Sequence, residues 1–487
     1  MNTERIETPA ERELAAFRRE IRAMKAEDVD LLNVEQQVRE RLKALGREMV
    51  GEAMARADTR APEVEIEGKR WGNGRRQGAS YCTIFGMVDV ERTTYQQAGR
   101  GRVAIPMDLR LGVVEGTYTP LMARIMTRAL AVTTEHEAAD LLAEVGLAAV
   151  SSATLSRIPR AIAARYELNR PVIETNLRER DAIPEGTATV QVSLDGVMVP
   201  QDGEYAKPRG RKTETPDPPR HELRYGVVGP SGPANDDCTL GRSWHEASVG
   251  TVAYFDEDGI RLRTTYVARM PEPNKATTVA TIEAELQAVL AERPNLDVVF
   301  ASDGAQGQWV ALLEIKSRLP KTFTGRTMEL VDAYHVAEYV QDGANAIEGR
   351  DTLAARILAA TWRETLKESP NGAETVLRAM RARMPQVKVE ARLKTLQTAI
   401  GYIDNQNDAD RMNYVEARRR HYPIGTGITE AAAKTIVGVR MKRAGARFSQ
   451  HGGQTVMTFR AALLSDRFDA LHQELHASYV KPVKIAA

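Results

Sequence analysis

The chain has 487 residues, of which 43% are hydrophobic, and its formal net charge at pH 7 is +1. At ~150 residues per domain, this length predicts roughly three domains with a sizeable core, and the small net charge by itself indicates no class of partner. The two cysteines, Cys82 and Cys238, exclude a disulfide framework and a Cys-x-x-Cys zinc site, and they fit a reducing, cytosolic setting.

The first residues are polar and partly acidic, which is not the pattern of a signal peptide. No apolar run approaches the ~20 residues of a membrane helix, so we expect a cytoplasmic, nucleoid-associated protein with no membrane partner. From about Pro9 to Ala57, apolar residues recur at helical spacing, which predicts scaffold helices in an N-terminal helical region, 1–80. Lys69 to Gly78 is predicted to be a basic, glycine-rich loop, which either contacts DNA or is simply exposed.

Residues 81–185 are predicted to form a hairpin followed by a helix-turn-helix. Tyr81 to Tyr95 alternates and is rich in β-formers. A helix over Glu135–Val145, a break at Gly146 and a second helix that opens with Ser and Thr match the helix-turn-helix pattern, although ordinary helical hairpins have it about as often. If the pattern is functional, short polar side chains and an arginine near the second helix start contact DNA: Ser151, Ser152, Thr154 and Arg157.

Residues 186–348 read as a mixed α/β core. A strand over Thr189–Val199 carries one acid, Asp195, although Asp is a poor strand former. A polar, proline-rich insertion or flexible loop follows at Gly203–Arg220. Further strands are predicted at the positions Arg224–Val228, Ala247–Phe255 and Ile260–Ala268, with a turn at Asp256–Gly259.

Two strands that end in an acid come next. A helix over Asn274–Glu292 leads to a short buried strand that ends at Asp303, and a later strand ends at Asp332, before a helix that carries His335. Acids at the carboxyl ends of strands lie where α/β sheets place their sites.

Residues 349–420 are predicted to be an all-α insertion, and residues 421–487 a C-terminal catalytic and basic segment. Within the latter, Gly425 to Arg447 opens a helix that Thr426 or Thr429 caps and that has Glu430 in its first turn. No acid occurs from Ala431 to Ser465, which favours phosphate binding over an ordinary exposed helix face. The cations assigned to DNA are Lys434, Arg440, Lys442, Arg443 and Arg447. A final helix is predicted over Gln454–Leu475.

This element order predicts a ribonuclease-H-like mixed sheet, in which the first and fourth strands are neighbours. Asp195 and Asp303 then meet, and the later helix can bring Glu430 beside them. Three carboxylates suit a pair of Mg²⁺ ions, which prefer oxygen ligands and can drive an in-line phosphoryl displacement. Asp332 in place of Asp303 is the alternative second ligand. His335 either orients a carboxylate, contacts DNA or is structural.

The chain resembles bacterial insertion-sequence transposases of the ISKra type, within the Mutator-like DDE transposases. The resemblance spans about residues 81–475 and is strongest at Tyr422-Pro-Ile-Gly-Thr-Gly-Ile-Thr-Glu430-Ala-Ala-Ala-Lys434 and the basic run that follows. Weaker matches are Ser193-Leu-Asp195-Gly-Val, Ser302-Asp303-Gly-Ala and the accessory Asp332-Ala-Tyr-His335. Phe448 departs from the tryptophan usual near the end of the basic run.

The resemblance implies Asp195, Asp303 and Glu430 as a metal-binding catalytic triad with two Mg²⁺ or Mn²⁺ ions. It also implies binding to terminal inverted repeats and target DNA, and a homo-oligomer on that DNA. Three rival functions are a nuclease of the same fold that never joins, a transposase-derived DNA-binding regulator, and a glycosidase. The glycosidase fits the acids but not the basic segment.

Overall fold

The computed structural model describes residues 8–97, 103–147, 149–202 and 242–486. The chain forms two compact units, Met1–Asn176 with Phe468–Ala487, and Leu177–Arg467. We call them the N-terminal unit and the core unit. The loop predicted at Gly203–Arg220, the strand predicted at Arg224–Val228 and Cys238 lie outside the described residues.

Helices and strands occur in both units. The helices are α1 (Pro9–Ala23), α2 (Leu31–Ala57), α3 (Pro106–Leu111), α4 (Pro120–Val132), α5 (Glu135–Glu144), α6 (Ser152–Arg180), α7 (Ala276–Glu292), α8 (Gln306–Ser317), α9 (Ala333–Glu348), α10 (Leu353–Glu368), α11 (Gly372–Arg383), α12 (Glu390–Asp408), α13 (Tyr414–Arg419), α14 (Gly427–Ala432), α15 (Val439–Met441), α16 (Gln450–Leu464) and α17 (Phe468–Tyr479). The strands are β1 (Val64–Ile66), β2 (Lys69–Thr83), β3 (Gly86–Gln96), β4 (Val103–Ala104), β5 (Thr189–Asp202), β6 (Arg242–Phe255), β7 (Arg261–Arg269), β8 (Asp297–Ser302), β9 (Thr327–Val331) and β10 (Val483–Ile485).

The N-terminal unit contains an antiparallel sheet in the order β10-β1-β2-β3-β4. The predicted hairpin is present, but its first strand begins at Lys69, so the predicted loop over Lys69–Gly78 is wrong, and the region 1–80 is not all helical. Pairing with β3 extends β2 through a sequence that lacks apolar alternation. The register shifts between Gly72 and Arg75, where Asn73 has φ 53°. This is a β-bulge, which accommodates a residue in the left-handed region.

The helices of the N-terminal unit follow their sequence signals. The Thr134 side chain accepts a hydrogen bond from the Glu137 N–H, and Glu137 in turn accepts from the Thr134 N–H, which forms a capping box at the start of α5. Gly146 has φ 74°, and the helical break that we predicted there is present. The second helix, α6, follows from Ser152.

The core unit is built on a mixed sheet in the order β7-β6-β5-β8-β9. The strands β5, β6 and β7 are antiparallel neighbours, whereas β5, β8 and β9 run parallel. The first and fourth strands of this sheet, β5 and β8, are therefore adjacent. This arrangement is consistent with the predicted ribonuclease-H-like core.

The helical insertion belongs to the core unit. Helices α10 to α13 lie within 349–420, as predicted, and no strand is assigned in that range. Trp362, Met380 and Ile403 from these helices join the same buried hydrophobic cluster as Val331 and Val336. The insertion and the sheet therefore share one core.

An ion-pair network forms around the buried Glu285 elsewhere in the core unit. The Arg467 guanidinium donates to both carboxylate oxygens of Glu285, at 2.9 and 2.7 Å, and its Nε donates to Asp181 at 2.7 Å. Arg178 and Arg263 lie 3.6 Å from Glu285 and Asp181, respectively. We call these five residues the arginine network.

The end of the chain differs from its prediction. The final helix expected over Gln454–Leu475 is two helices, α16 and α17. They are separated at Asp466, whose φ of 56° is incompatible with a continuous α-helix. None of the helices in the described ranges combines the length and apolar character needed to cross a membrane.

Candidate active site

The strand register brings Asp195 and Asp303 together. In the parallel register of β5 and β8, each residue of β5 lies opposite the residue 108 positions later in the sequence, and the last such pair is Ser193 with Ala301. Ser302 Oγ lies 3.5 Å from the Leu194 carbonyl oxygen, which extends the same relation by one residue. The next pair in this register is Asp195 with Asp303. Because neighbouring strands are about 4.8 Å apart, the two acids lie side by side where β8 ends.

The turn after β8 holds Asp303. Its carboxylate accepts hydrogen bonds from the Ala305 N–H at 3.0 Å and from the Ser302 hydroxyl at 3.2 Å. Gly304 has φ 98°, which L residues rarely adopt. The Tyr402 hydroxyl, from α12, donates to the Asp303 carbonyl at 2.6 Å. The insertion thus contacts the turn that bears the second acid.

The third acid, Glu430, lies in the first turn of α14, which packs against β5 and β6. Alternate residues of a strand point to one face. Gln191 and Asp195 therefore share one face of β5, and on that face the Gln191 amide donates to the Gly425 carbonyl at 3.1 Å. On β6, the Thr251 hydroxyl forms a hydrogen bond with the Thr429 hydroxyl at 2.7 Å. Asp195, on the same face, therefore lies beside the turn that carries Glu430.

The charges of the three acids are coupled. The pKa of Asp195 is raised to about 6, mainly by burial and additionally by the nearby charges of Asp303, Glu430 and Glu246. The Gly196 N–H opposes this rise by donating to the Asp195 carboxylate. Such crowding of like charges in a partly buried site is typical of a functional site. We call Asp195, Asp303 and Glu430 the acidic triad.

The triad is chemically suited to a hard divalent cation, because all its donors are carboxylate oxygens. In the described part of the chain, no group of three acidic, His or Cys side chains is already arranged around one ion position. The Glu430 carboxylate accepts a hydrogen bond from Lys434 Nζ at 2.6 Å. Lys434 is exposed, so this pair can open without disturbing the core. The donor set thus fits the predicted ions, and Lys434 contacts only one of the two Glu430 carboxylate oxygens.

Asp332 and His335 have structural partners. Asp332 is buried and caps α9, where one of its oxygens accepts from the N–H groups of Tyr334 and His335. Its other oxygen accepts from the N–H and the hydroxyl of Thr426. The His335 ring lies edge-on to Tyr339 and Tyr402, with Nδ1 3.2 Å from Glu338. Thr426 occupies the predicted N-cap position of α14, but its side chain makes no capping bond there.

The predicted basic segment does not form one helical face. After α14, the residues Ala433–Gly438 form a π-helical turn, and helix ends at Met441. Arg440 is only 3% exposed, so its side chain does not face solvent as expected for a DNA contact. Lys434, Lys442, Arg443 and Arg447 are exposed.

The residues chosen for DNA contact in the N-terminal unit lie at the start of α6. The Ser151 hydroxyl accepts the Thr154 N–H at 3.2 Å, which satisfies a free N–H group of the first turn. Ser152 and Thr154 are half-buried, whereas Arg157 is exposed, with its guanidinium 5.9 Å from the centre of the Tyr118 ring. The contact of these residues with DNA stays a prediction.

The sequence interpretation missed several residues around the triad. Glu246, on β6, lies 3.4 Å from Lys275 Nζ and accepts from the Gln308 amide at 3.2 Å. A Cβ on Gly196 would lie 1.6 Å from a carboxylate oxygen of Glu246, so only glycine at this position leaves room for Glu246. The predicted strand began at Ala247, one residue too late to include it. The supporting roles of Gln191, Thr251 and Tyr402 had no local signal, because their partners are far along the chain.

No protein-family model and no curated protein matches the chain. Among solved structures, it is similar to a chain of the "Mos1 transposase paired-end complex with left transposon end", with 13% sequence identity and a TM-score of 0.15. That match covers 61% of this chain and 80% of the other. A TM-score this low does not establish a common fold.

Proposed function

We propose that the protein is a DDE transposase of the ISKra type, which binds the terminal inverted repeats of an insertion sequence and catalyses metal-dependent DNA strand cleavage and strand transfer. The observation that carries the proposal is the convergence of Asp195, Asp303 and Glu430 at one edge of a mixed sheet, although they come from distant parts of the sequence. The motif resemblance supplies the class of reaction.

Asp195, Asp303 and Glu430 would hold two Mg²⁺ or Mn²⁺ ions. Bound there, the ions would supply an activated oxygen nucleophile and charge stabilisation for phosphoryl transfer. The chain's own contribution is to bring three carboxylates together, to keep Asp195 partly desolvated and to hold Asp303 through Ser302, Ala305 and Tyr402.

DNA would be bound by the exposed cations that follow Glu430, namely Lys434, Lys442, Arg443 and Arg447, and by the start of α6. Exposed cations attract the phosphate backbone irrespective of sequence. Assembly as a homo-oligomer on the DNA ends is part of the proposal. A nuclease that cuts without joining is the second candidate, since the same triad would serve it.

The test is to incubate the purified full chain with Mg²⁺ or Mn²⁺ and DNA that carries its element's ends. We expect nicked and joined products from the wild type and neither product from Glu430→Gln, which still binds the DNA. Glu257→Gln is the matched control, because Glu257 is an exposed acid at the β6–β7 turn of the same unit. It should react like the wild type.

Other outcomes separate the alternatives. Nicked products without joined products would favour the nuclease. Binding without cleavage by the wild type in either metal would favour a DNA-binding regulator. Equal cleavage by wild type and Glu430→Gln would show that Glu430 is not the third carboxylate.

A further inference from the structure

We propose that Asp332 is a positioning residue that, together with Thr426, holds the Glu430 helix against the core sheet, and that it is not a metal ligand. This inference rests on the proposed function. It assigns to Asp332 a role different from that of the alternative second ligand that the sequence left open.

Both oxygens of the Asp332 carboxylate are already in use. Oδ1 accepts from the N–H groups of Tyr334, at 2.7 Å, and His335, at 3.3 Å. Oδ2 accepts from the Thr426 N–H at 2.7 Å and from the Thr426 hydroxyl. Asp332 is 5% exposed and Thr426 is 7% exposed. A carboxylate with four donors in a buried site has little capacity left for a cation.

The two oxygens of the Asp332 carboxylate connect helices α9 and α14. One oxygen caps α9, directly after β9, and the other holds the residue from which α14 begins. The Glu430 N–H donates to the Thr426 carbonyl at 3.0 Å. The first turn of α14, and with it the Glu430 backbone, therefore depends on where Thr426 is held.

Three further contacts hold the same segment. The Ala333 N–H donates to the Ile424 carbonyl at 3.0 Å, Gln191 donates to Gly425, and Thr251 bonds Thr429. A Cβ on Gly425 would lie 2.9 Å from the Tyr334 ring, so the chain passes too close for a larger residue. We call the Asp332–Thr426 pair, with these contacts, the latch. It connects Glu430 to β5, β6 and β9, the sheet that carries Asp195.

Asp332→Asn is the decisive variant. Asn caps a helix as well as Asp, so α9 keeps its N-cap and the fold is retained. An amide group placed against Thr426 presents N–H where the Thr426 N–H needs an acceptor. Asp342→Asn, at an exposed position of α9, is the matched control.

The first measurement is amide hydrogen exchange on the metal-free full chain. Exchange at Thr426 and Glu430 should become about tenfold faster in Asp332→Asn, as expected for the loss of one buried hydrogen bond. Exchange in β5 should stay unchanged, and Asp342→Asn should match the wild type. Unchanged exchange at Thr426 and Glu430, or faster exchange throughout β5, would overturn the latch.

The second measurement is strand cleavage. We expect Asp332→Asn to lower kcat about 100-fold, as for a displaced catalytic group, with KM for DNA nearly unchanged. Thr426→Val should lower kcat less, because its N–H remains, and Thr426→Ser should restore it. If Asp332→Asn instead abolished Mn²⁺ binding and left exchange unchanged, Asp332 would be a ligand. If the wild type cleaved nothing, the proposed function would fail, while the exchange result would still decide the latch.

Discussion

The core unit contains two groups of carboxylates with opposite surroundings. In the arginine network, Glu285 and Asp181 face guanidinium groups, and although burial alone would lower the pKa of Arg467, these acids raise it above its ordinary value. In the acidic triad, burial raises the pKa of Asp195, and the neighbouring charges of Asp303 and Glu430 add to the rise. Neutralised charge is typical of a structural role, whereas crowded charge of one sign is typical of a functional site.

The largest expected effect is on activity, which should be lost on changing an acid of the acidic triad. Asp195→Asn and Asp303→Asn should each lower strand cleavage about 1,000-fold, the scale of losing a main electrostatic contribution to a transition state. The unfolding free energy should not fall, because each change removes repulsion. Single-turnover cleavage and urea unfolding measure the two quantities. An active Asp303→Asn variant would remove Asp303 from the triad.

The next effect is on stability. Glu285→Gln removes one of the two acids that neutralise Arg467 and leaves only Asp181, which should lower the unfolding free energy by about 2 kcal/mol. Glu292→Gln, at the exposed end of α7, is the matched control and should unfold like the wild type. Denaturant unfolding of both variants checks this. Equal stability of the two would show that the arginine network contributes nothing to the fold.

The comparison also shows what the sequence could predict. The element order and the alternating strands predicted the core sheet, the neighbouring β5 and β8, and therefore which acids meet. Residues 69–80 of β2 were missed because this stretch, rich in Gly and Arg, has low β-propensity and is ordered by pairing with β3. Arg440 was misplaced because a π-helical turn inserts a residue and rotates everything that follows it.

Non-local contacts explain the rest. Asp332 looked like a possible ligand in the sequence, and only its contact with Thr426 shows a different use. The two residues are far apart in the chain, and no periodicity connects them. The place of Glu246 beside the acidic triad was likewise recognised only from its close approach to Gly196 in the structure.

A smaller effect tests the electrostatics of the triad directly. Asp303→Asn removes a like charge, so it should lower the pKa of Asp195 from about 6. Because burial, the larger cause, remains, the pKa should stay above its ordinary value. Carboxyl NMR titration of the metal-free protein measures this, with Asp342→Asn as the control. An unchanged pKa would mean that the two carboxylates are not neighbours.

The smallest effect concerns the exposed pair of Glu430 and Lys434. Ion pairs in solvent contribute little to stability, so Lys434→Met should leave the thermal unfolding midpoint unchanged, in contrast with Glu285→Gln. Scanning calorimetry of both variants completes the comparison. A clear loss of stability in Lys434→Met would show that this pair is structural.

The helical insertion closes an edge of the core sheet. β9 is an edge strand, yet the Val331 N–H donates to the Arg411 carbonyl, and the Tyr414 hydroxyl donates to the Val331 carbonyl. Together with Tyr402 on the Asp303 turn, these contacts make the insertion a structural part of the core unit. We expect excision of residues 349–420 to open this edge of the sheet to pairing with other chains. A reduced version of this protein must be shortened elsewhere.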